Sequence, residues 1–424
     1  MELNVIYIFF YSALFWALAI FYLFKDKGKI KIRTFILLIY AVSSSSTIYY
    51  MNNTPQLVEE IHPEALIYLF ISLLTCIIPF LKFDEAQIVQ INSGKNHNLI
   101  VNISTFLMPF LILSLLETTI ISININSSSL VNIYDNLETS LNVTDKLSWF
   151  GGKAMIIADY SQPIIPILFF YLLQFKKKYT FLKVGLLMGM LTFVLKGYAN
   201  AQRVAIISTF LYFFLVYMLF KPALSDVIKR KINGVGTFLL ALISLLIVYT
   251  TVARFADVEN SYDGFDIWTW VSLYTGEAPL RFSETMWDDM KVTSNGDTSF
   301  ALVKSTLGLE TFDTLYDRRE YWEGRQGIPI NVFYTFVGDW YCDFGPYGAY
   351  IICILFFLLL KSLLPSKKVN TIHLDQIIIL AILGKVLIMG FTFYTYCNPE
   401  GQLIIIPAII LSIFFYIKRK FIWI

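Results

Sequence analysis

The chain has 424 residues, of which 57% are hydrophobic and 17% aromatic against only 15% charged, with a mean hydropathy of +0.63. That balance excludes a soluble globular protein, and the net charge of +2 carries no information as a total. Four cysteines (Cys76, Cys342, Cys353, Cys397) form no Cys-x-x-Cys pair and three histidines (His62, His97, His373) are scattered, so the spacing supports no metal site and no cofactor is expected.

A spanning helix needs about 20 mostly apolar residues. The first such stretch, LNVIYIFFYSALFWALAIFYLF, is longer than a signal-peptide core and lacks a small-residue cleavage site, so it reads as a retained first span. In chain order, hydropathy gives about eleven spans, near 3–24, 34–50, 65–81, 99–123, 161–175, 179–198, 203–220, 235–254, 346–364, 376–396 and 403–417. The connections KDKGKIKIR, KKK, KPALSDVIKRK and KSLLPSKK, with the terminal KRK, are basic and follow the odd spans. The alternate connections MNNTPQLVEEIHPE and CNPEGQ hold no Lys or Arg. Lys and Arg collect in the cytoplasm, so the N-terminus is expected outside and the C-terminus inside. No inverted repeat of the secondary-transporter kind is evident. The expected fold class is all-α and polytopic. Residues 1–254 form a membrane domain of about eight spans, 255–345 a large extracytoplasmic loop, and 346–424 three C-terminal spans.

Two outer connections are long, about 124–160 and 255–345, and loops of that length are commonly functional. The second is rich in aromatics, as in FDIWTWVSLY and REYWEG. Short helices along the membrane surface are expected there, with Trp268, Trp270, Trp287 and Trp322 near the headgroups, either as an aromatic belt or as sugar-stacking surfaces. The loop closes with FVGDWYCDFGPYG, residues 336–348, where acids, glycines and a proline meet the ninth span. Irregular backbone at that depth is tolerated where it lines an enclosed or watery cavity, so a partly re-entrant or interfacial segment is expected.

Ionisable groups at or within the membrane are candidates for function because burying them is costly. Arg203 opens the seventh span at its outer end, where a cation opposes the helix dipole, so an anionic partner is expected. A guanidinium fork fits phosphate or carboxylate oxygens in pairs. Arg254 ends the eighth span at the same level and has Asp257 as an alternative partner. Arg318, Arg319 and Arg325 lie in DRREYWEGRQGIP, the first two beside Asp317 and Glu320. Lys196 ends the sixth span and Lys385 lies within the tenth. Asp339 and Asp343 are four residues apart, on one face of a helix, where repulsion would make one of them the better proton acceptor. Asp343 precedes Pro346 and has capping of free amides as an alternative role; Asp339 has no such local reason.

Two elements together resemble the bacterial oligosaccharide repeat-unit polymerases of the Wzy type. One is ANAQRVAIIS, a small-polar-Arg element opening a mid-chain span. The other is YTFVGDWYCDFGPYGAYI, with its acidic-aromatic-x-x-Phe-Gly-x-x-Gly pattern. The polytopic layout covers nearly the whole chain and the motifs about 30 residues. The resemblance implies a membrane glycosyltransferase (GT-C-like) fold in the bacterial inner membrane, with the active site facing the periplasm. It implies a polyprenyl-diphosphate-linked oligosaccharide as donor and another as acceptor, for O-antigen, capsule or a related glycan. Membrane lipids, and a chain-length regulator protein as a candidate, complete the partners. On this reading Arg203 is the mid-chain arginine, Asp339 the acid before an aromatic, and Phe344, Gly345 and Gly348 the Phe-Gly-x-x-Gly element. Arg325 corresponds to basic residues of the large loop. Arg318, Arg319, Arg254, Asp343, Tyr341 and Trp322 complete the substrate-binding set. The related ligases use a histidine in the large outer loop, which here has none.

The implied chemistry is attack of an acceptor hydroxyl on the donor's anomeric carbon with release of polyprenyl diphosphate. Arginines would offset the developing charge, without metal or nucleotide, and Asp339 would orient or deprotonate the hydroxyl. Single displacement predicts inversion. A lipid-linked oligosaccharide flippase or other transporter is the alternative. A transferase using polyprenyl-monophosphate sugars fits less well, because the first connection is basic rather than acidic and outward.

Overall fold

The computed structural model describes residues 2–125, 146–175, 178–255, 267–309, 312, 315–365 and 371–421. The helices are α1 (Glu2–Lys25), α2 (Ile32–Asn53), α3 (Pro63–Lys82), α4 (His97–Ile123), α5 (Trp149–Ser161), α6 (Ile165–Leu173), α7 (Thr180–Ala199), α8 (Arg203–Phe220) and α9 (Asp226–Phe255). After them come α10 (Ile267–Arg281), α11 (Ala301–Thr306), α12 (Leu315–Gln326), α13 (Thr335–Leu363), α14 (Leu374–Met389) and α15 (Pro399–Phe421). The described strands are β1 (Gln90–Asn92) and β2 (Thr371–His373), paired in parallel.

Among the described residues, eight helices are long and apolar enough to cross a membrane, nine if the bent pair α5–α6 counts as one span. The protein is thus an all-α, polytopic membrane protein. Eleven spans are expected from the sequence, and α9 and α14 occupy the remaining two positions. At 16 residues α14 is about 24 Å long, short of the roughly 30 Å hydrocarbon core. The 69° bend between α5 and α6 falls at Gln-Pro-Ile-Ile-Pro, where Pro163 and Pro166 remove amide donors.

The chain forms two compact units that interleave in sequence. The first comprises 1–85, 268–364 and 383–403, the second 86–267, 365–382 and 404–424. In the first, α1 and α2 form a hairpin and α3 packs against α13. The serine run of α2 is satisfied internally: Ser44 and Ser45 donate to carbonyls one turn back, while Ser43 and Thr47 donate to the carbonyls of Thr275 and Gly276. In the second unit, α4 packs against α5 and α7, and α7 against α6 and α8.

Within each unit, connections that the charge pattern puts on one face touch one another. Among the connections poor in Lys and Arg, the amide of Glu59 donates to Glu284, that of His62 to the carbonyl of Ser283, and Gln402 donates to the carbonyl of Thr298. In the second unit Lys196 pairs with Asp159 at 2.7 Å. On the basic face, Lys31 bridges Asp26 and Asp84, Arg419 pairs with Asp375, and β1 lies beside β2. Asp26, held between Lys31 and Arg33, has its proton affinity lowered by those partners despite the opposing effect of burial.

Candidate functional site

The stretch that closes the large loop is helical on both sides of one break. Residues 335–344 form a first arm of α13 and 346–363 a second, joined at Gly345 with φ 69° and ψ −178°. That backbone region is essentially closed to residues with a Cβ. Pro346 has no amide hydrogen, so the carbonyl of Cys342 four residues earlier has no helical donor. Other segments take it up: the amide of Ser294 at 2.9 Å, the Ser294 hydroxyl at 3.2 Å and Gln326 Nε2 at 3.3 Å. The helix break thereby collects the 294–299 loop and the end of α12 around the first arm.

Asp343 holds the same loop. Fully buried, it accepts from the Ser294 hydroxyl (2.6 Å), the amides of Thr298 (3.0 Å) and Ser299 (2.7 Å), and the Thr298 hydroxyl. The loop itself turns at Asn295 and Gly296, with φ 51° and 80°, the positive pair that an Asn-Gly turn supplies. Asp343 therefore caps amides, but those of a distant loop rather than of its own helix.

Asp339, one turn earlier, is placed differently. Its Oδ2 accepts from the amide of Tyr394, while Oδ1 makes no hydrogen bond among the described residues. It lines a pocket of about 40 Å³ together with Asp297, Thr298, Arg318, Trp322 and Tyr334, a volume on the scale of a few water molecules. The amides of Thr335 and Phe336 donate to the carbonyls of Thr392 and Gly390. The start of α13 is thus docked onto the chain leaving α14, which also supplies Tyr394. Thr335 sits at φ 71°, an uncommon conformation for a β-branched residue.

Arg318 enters the pocket from α12. Its Nε donates to Asp297 Oδ2 at 2.5 Å, and Trp322 Nε1 donates to the same oxygen at 2.9 Å. Lys304 lies 3.5 Å from the other Asp297 oxygen. The terminal nitrogens of Arg318 make no hydrogen bond among the described residues, so the guanidinium is oriented by Asp297 yet keeps a free edge. A cation held this way can receive an anion without first reorganising.

Of the residues singled out from the sequence, Asp339, Arg318 and Trp322 come together here, and Asp343 pins the loop beside them. Arg325 is exposed and stacks on Tyr321, 4.7 Å from the ring centroid. Arg319 is exposed on α12. Tyr341 is buried among Tyr68, Phe282 and Trp287, its hydroxyl donating to the carbonyl of Trp287 at 3.3 Å. Arg203 is the first residue of α8, in the second unit and partly exposed. The side chain of Arg254 lies outside the described residues. Residues not singled out are Asp297, Thr298, Ser294 and Gln326. An Asn-Gly turn running directly into Asp-Thr-Ser was the available signal for the first two.

A polytopic helical membrane protein with a small charged pocket between the segment before α13 and the first arm of α13 is the class that fold and site define. No protein-family model, curated protein or solved structure gives a significant match to the chain.

Proposed function

We propose that the protein is a glycosyltransferase of the repeat-unit polymerase kind, with a GT-C-like fold. It would join polyprenyl-diphosphate-linked oligosaccharides on the extracytoplasmic side of the bacterial inner membrane. The observation that carries the reading is the pairing of Asp339, with one free carboxylate oxygen, and Arg318, with a free guanidinium edge, in a single pocket at the mouth of a membrane helix. Acceptor deprotonation and leaving-group neutralisation are the two services that sugar transfer from a lipid diphosphate requires.

Asp339 takes the proton of the acceptor hydroxyl as its oxygen bonds the donor's anomeric carbon. The bond from that carbon to the diphosphate oxygen breaks, and polyprenyl diphosphate leaves with the electron pair. Displacement in one step inverts the anomeric centre. Arg318 neutralises the departing diphosphate, while Trp322 and Asp297 fix the orientation of its guanidinium. At about 40 Å³ the pocket has room for small groups such as a hydroxyl and a phosphate oxygen and not for a sugar ring. Arg203, in the second unit, is not among the residues that line this pocket.

The test is glycan length in cells that depend on this chain. Asp339→Asn and Arg318→Ala are expected to accumulate lipid carriers bearing a single repeat unit, with protein levels unchanged. Wild-type chain lengths in both variants would refute the reading. Accumulation of carrier on the cytoplasmic side would instead indicate a flippase.

A further inference from the structure

A second cavity lies in the second unit, on the membrane face that the Lys and Arg distribution marks as cytoplasmic. It measures about 190 Å³ and lies between residues 210–217 of α8 and the start of α9. Phe210, Phe213, Phe214 and Tyr217 form one wall, and Asn233 and Gly236 belong to the other. From Phe210 to Tyr217 the aromatic wall runs about 10 Å along the helix, starting three residues inside the end of α8 at Phe220. The lining is mostly apolar; its polar groups are Thr237, whose hydroxyl donates to the Asn233 carbonyl at 2.9 Å, and a pair at the shallow end, where the Tyr217 hydroxyl donates to Asn233 Oδ1 at 2.8 Å. A Cβ built on Gly236 would meet no atom within 4 Å, so the slot is open along α9.

The rim has the opposite character. The short connection 221–231 carries Lys221, Lys229, Arg230 and Lys231 against a single acid, Asp226, a local charge of +3. Asp226 is taken by Lys229 at 3.2 Å. Lys221, Arg230 and Lys231 are exposed and make no ion pair among the described residues; Lys221 lies 5.9 Å from the Tyr217 ring centroid, at the cavity's shallow end. An aromatic slot beside a short connection of net charge +3 matches one ligand shape, an apolar chain under an anionic head. Basic clusters near the surface attract anionic lipid by about 1 kcal/mol per Lys or Arg.

We propose that this cavity binds an anionic phospholipid of the cytoplasmic leaflet, with an acyl chain against the α8 aromatics and its phosphate at the basic connection 221–231. The site belongs to the second unit alone and is independent of the glycosyltransferase reading.

Delipidated protein is titrated in detergent, under native mass spectrometry, with phosphatidylglycerol and with phosphatidylcholine of the same chains. Phosphatidylglycerol is expected to bind about tenfold or more tightly than phosphatidylcholine, given the summed attraction of three cations. The triple variant Lys221→Ala/Arg230→Ala/Lys231→Ala is expected to remove that preference. Gly236→Leu, whose side chain enters open space, is expected to weaken both lipids while the thermal midpoint stays unchanged. As a check that needs no loss of binding, Phe213→Trp is expected to be quenched by brominated-chain phosphatidylglycerol, and much less so in the triple-variant background. Equal binding of the two lipids to the wild type would overturn the proposal. So would loss of preference in the triple variant with no effect of Gly236→Leu and no quenching at 213, which would mean headgroup adsorption at the surface without a seated chain.

Discussion

Replacing Asp343 by Asn separates the two acids of the first α13 arm by what each holds. The Asp343 carboxylate accepts two backbone amides and two hydroxyls from the 294–299 loop, one amide on each oxygen. An asparagine has one acceptor oxygen, so whichever way its amide turns, either Thr298 N or Ser299 N faces an NH₂ group. The hydroxyls can rotate to donate elsewhere; the amide cannot. A hydrogen bond to a charged group contributes about 1.5–3 kcal/mol, and a buried unsatisfied donor costs a similar amount. Loss of about 2 kcal/mol in local stability corresponds to roughly a 30-fold rise in the open population of the loop. Hydrogen exchange of a peptide covering 294–300 should report it: Asp343→Asn is expected to speed exchange at residues 298 and 299 by about that factor. Asp339→Asn, which touches none of those amides, is expected to leave exchange there unchanged. Unaltered protection in Asp343→Asn would show that the carboxylate does not pin the loop.

Gly345→Ala meets only an ordinary contact, Thr293 Cγ2 at 3.6 Å, so its cost is in the backbone, about 1–3 kcal/mol; a lowered thermal midpoint in detergent checks this, and an unchanged one contradicts the strained geometry. Arg325→Ala removes only a stacking contact with Tyr321 and is expected to leave glycan length near wild type, where Arg318→Lys, which loses the planar fork, shortens it strongly. In α10 and the turn after it, burial raises the proton affinity of Glu277 and Glu284, partly offset by Arg281 between them. Both acids then bind protons more tightly folded than unfolded, so stability should fall as pH rises from the ordinary carboxylate range toward their raised values. Glu284→Gln should flatten that slope in melts recorded across pH, and an identical slope would exclude this origin.

Much of the fold was legible because lipid imposes a simple requirement. Long apolar windows and the alternation of basic and base-free connections located a helix for every expected span. Their count was less legible, since α14 is shorter than the bilayer core and α5–α6 is broken at prolines. The site was legible only in part. Asp339 stood out because no local capping role accounts for it, whereas Arg318 was one of three loop arginines and had Asp317 and Glu320 beside it as ready partners. Neither its orientation by Asp297 nor the burial of Tyr341 follows from spacing, because those contacts join segments 20 residues or more apart through turns. The stretch FVGDWYCDFGPYG announced a break, and the break's consequence needed coordinates: a proline that frees one carbonyl, which then gathers a loop and a helix end around an acid. Arg325 shows the converse, since a basic residue at the right position in sequence stacks on its own helix and does not line the pocket.

The central claim is that Asp339 and Arg318 serve sugar transfer from a lipid diphosphate. Reconstitution tests it most directly: purified protein in proteoliposomes, supplied only with a polyprenyl-diphosphate-linked oligosaccharide, with released polyprenyl diphosphate and chain length measured together. Stoichiometric release and a ladder of products are expected from the wild type, and neither from Asp339→Asn of equal thermal stability. A ladder from that variant, or no release from active wild-type protein, would contradict it.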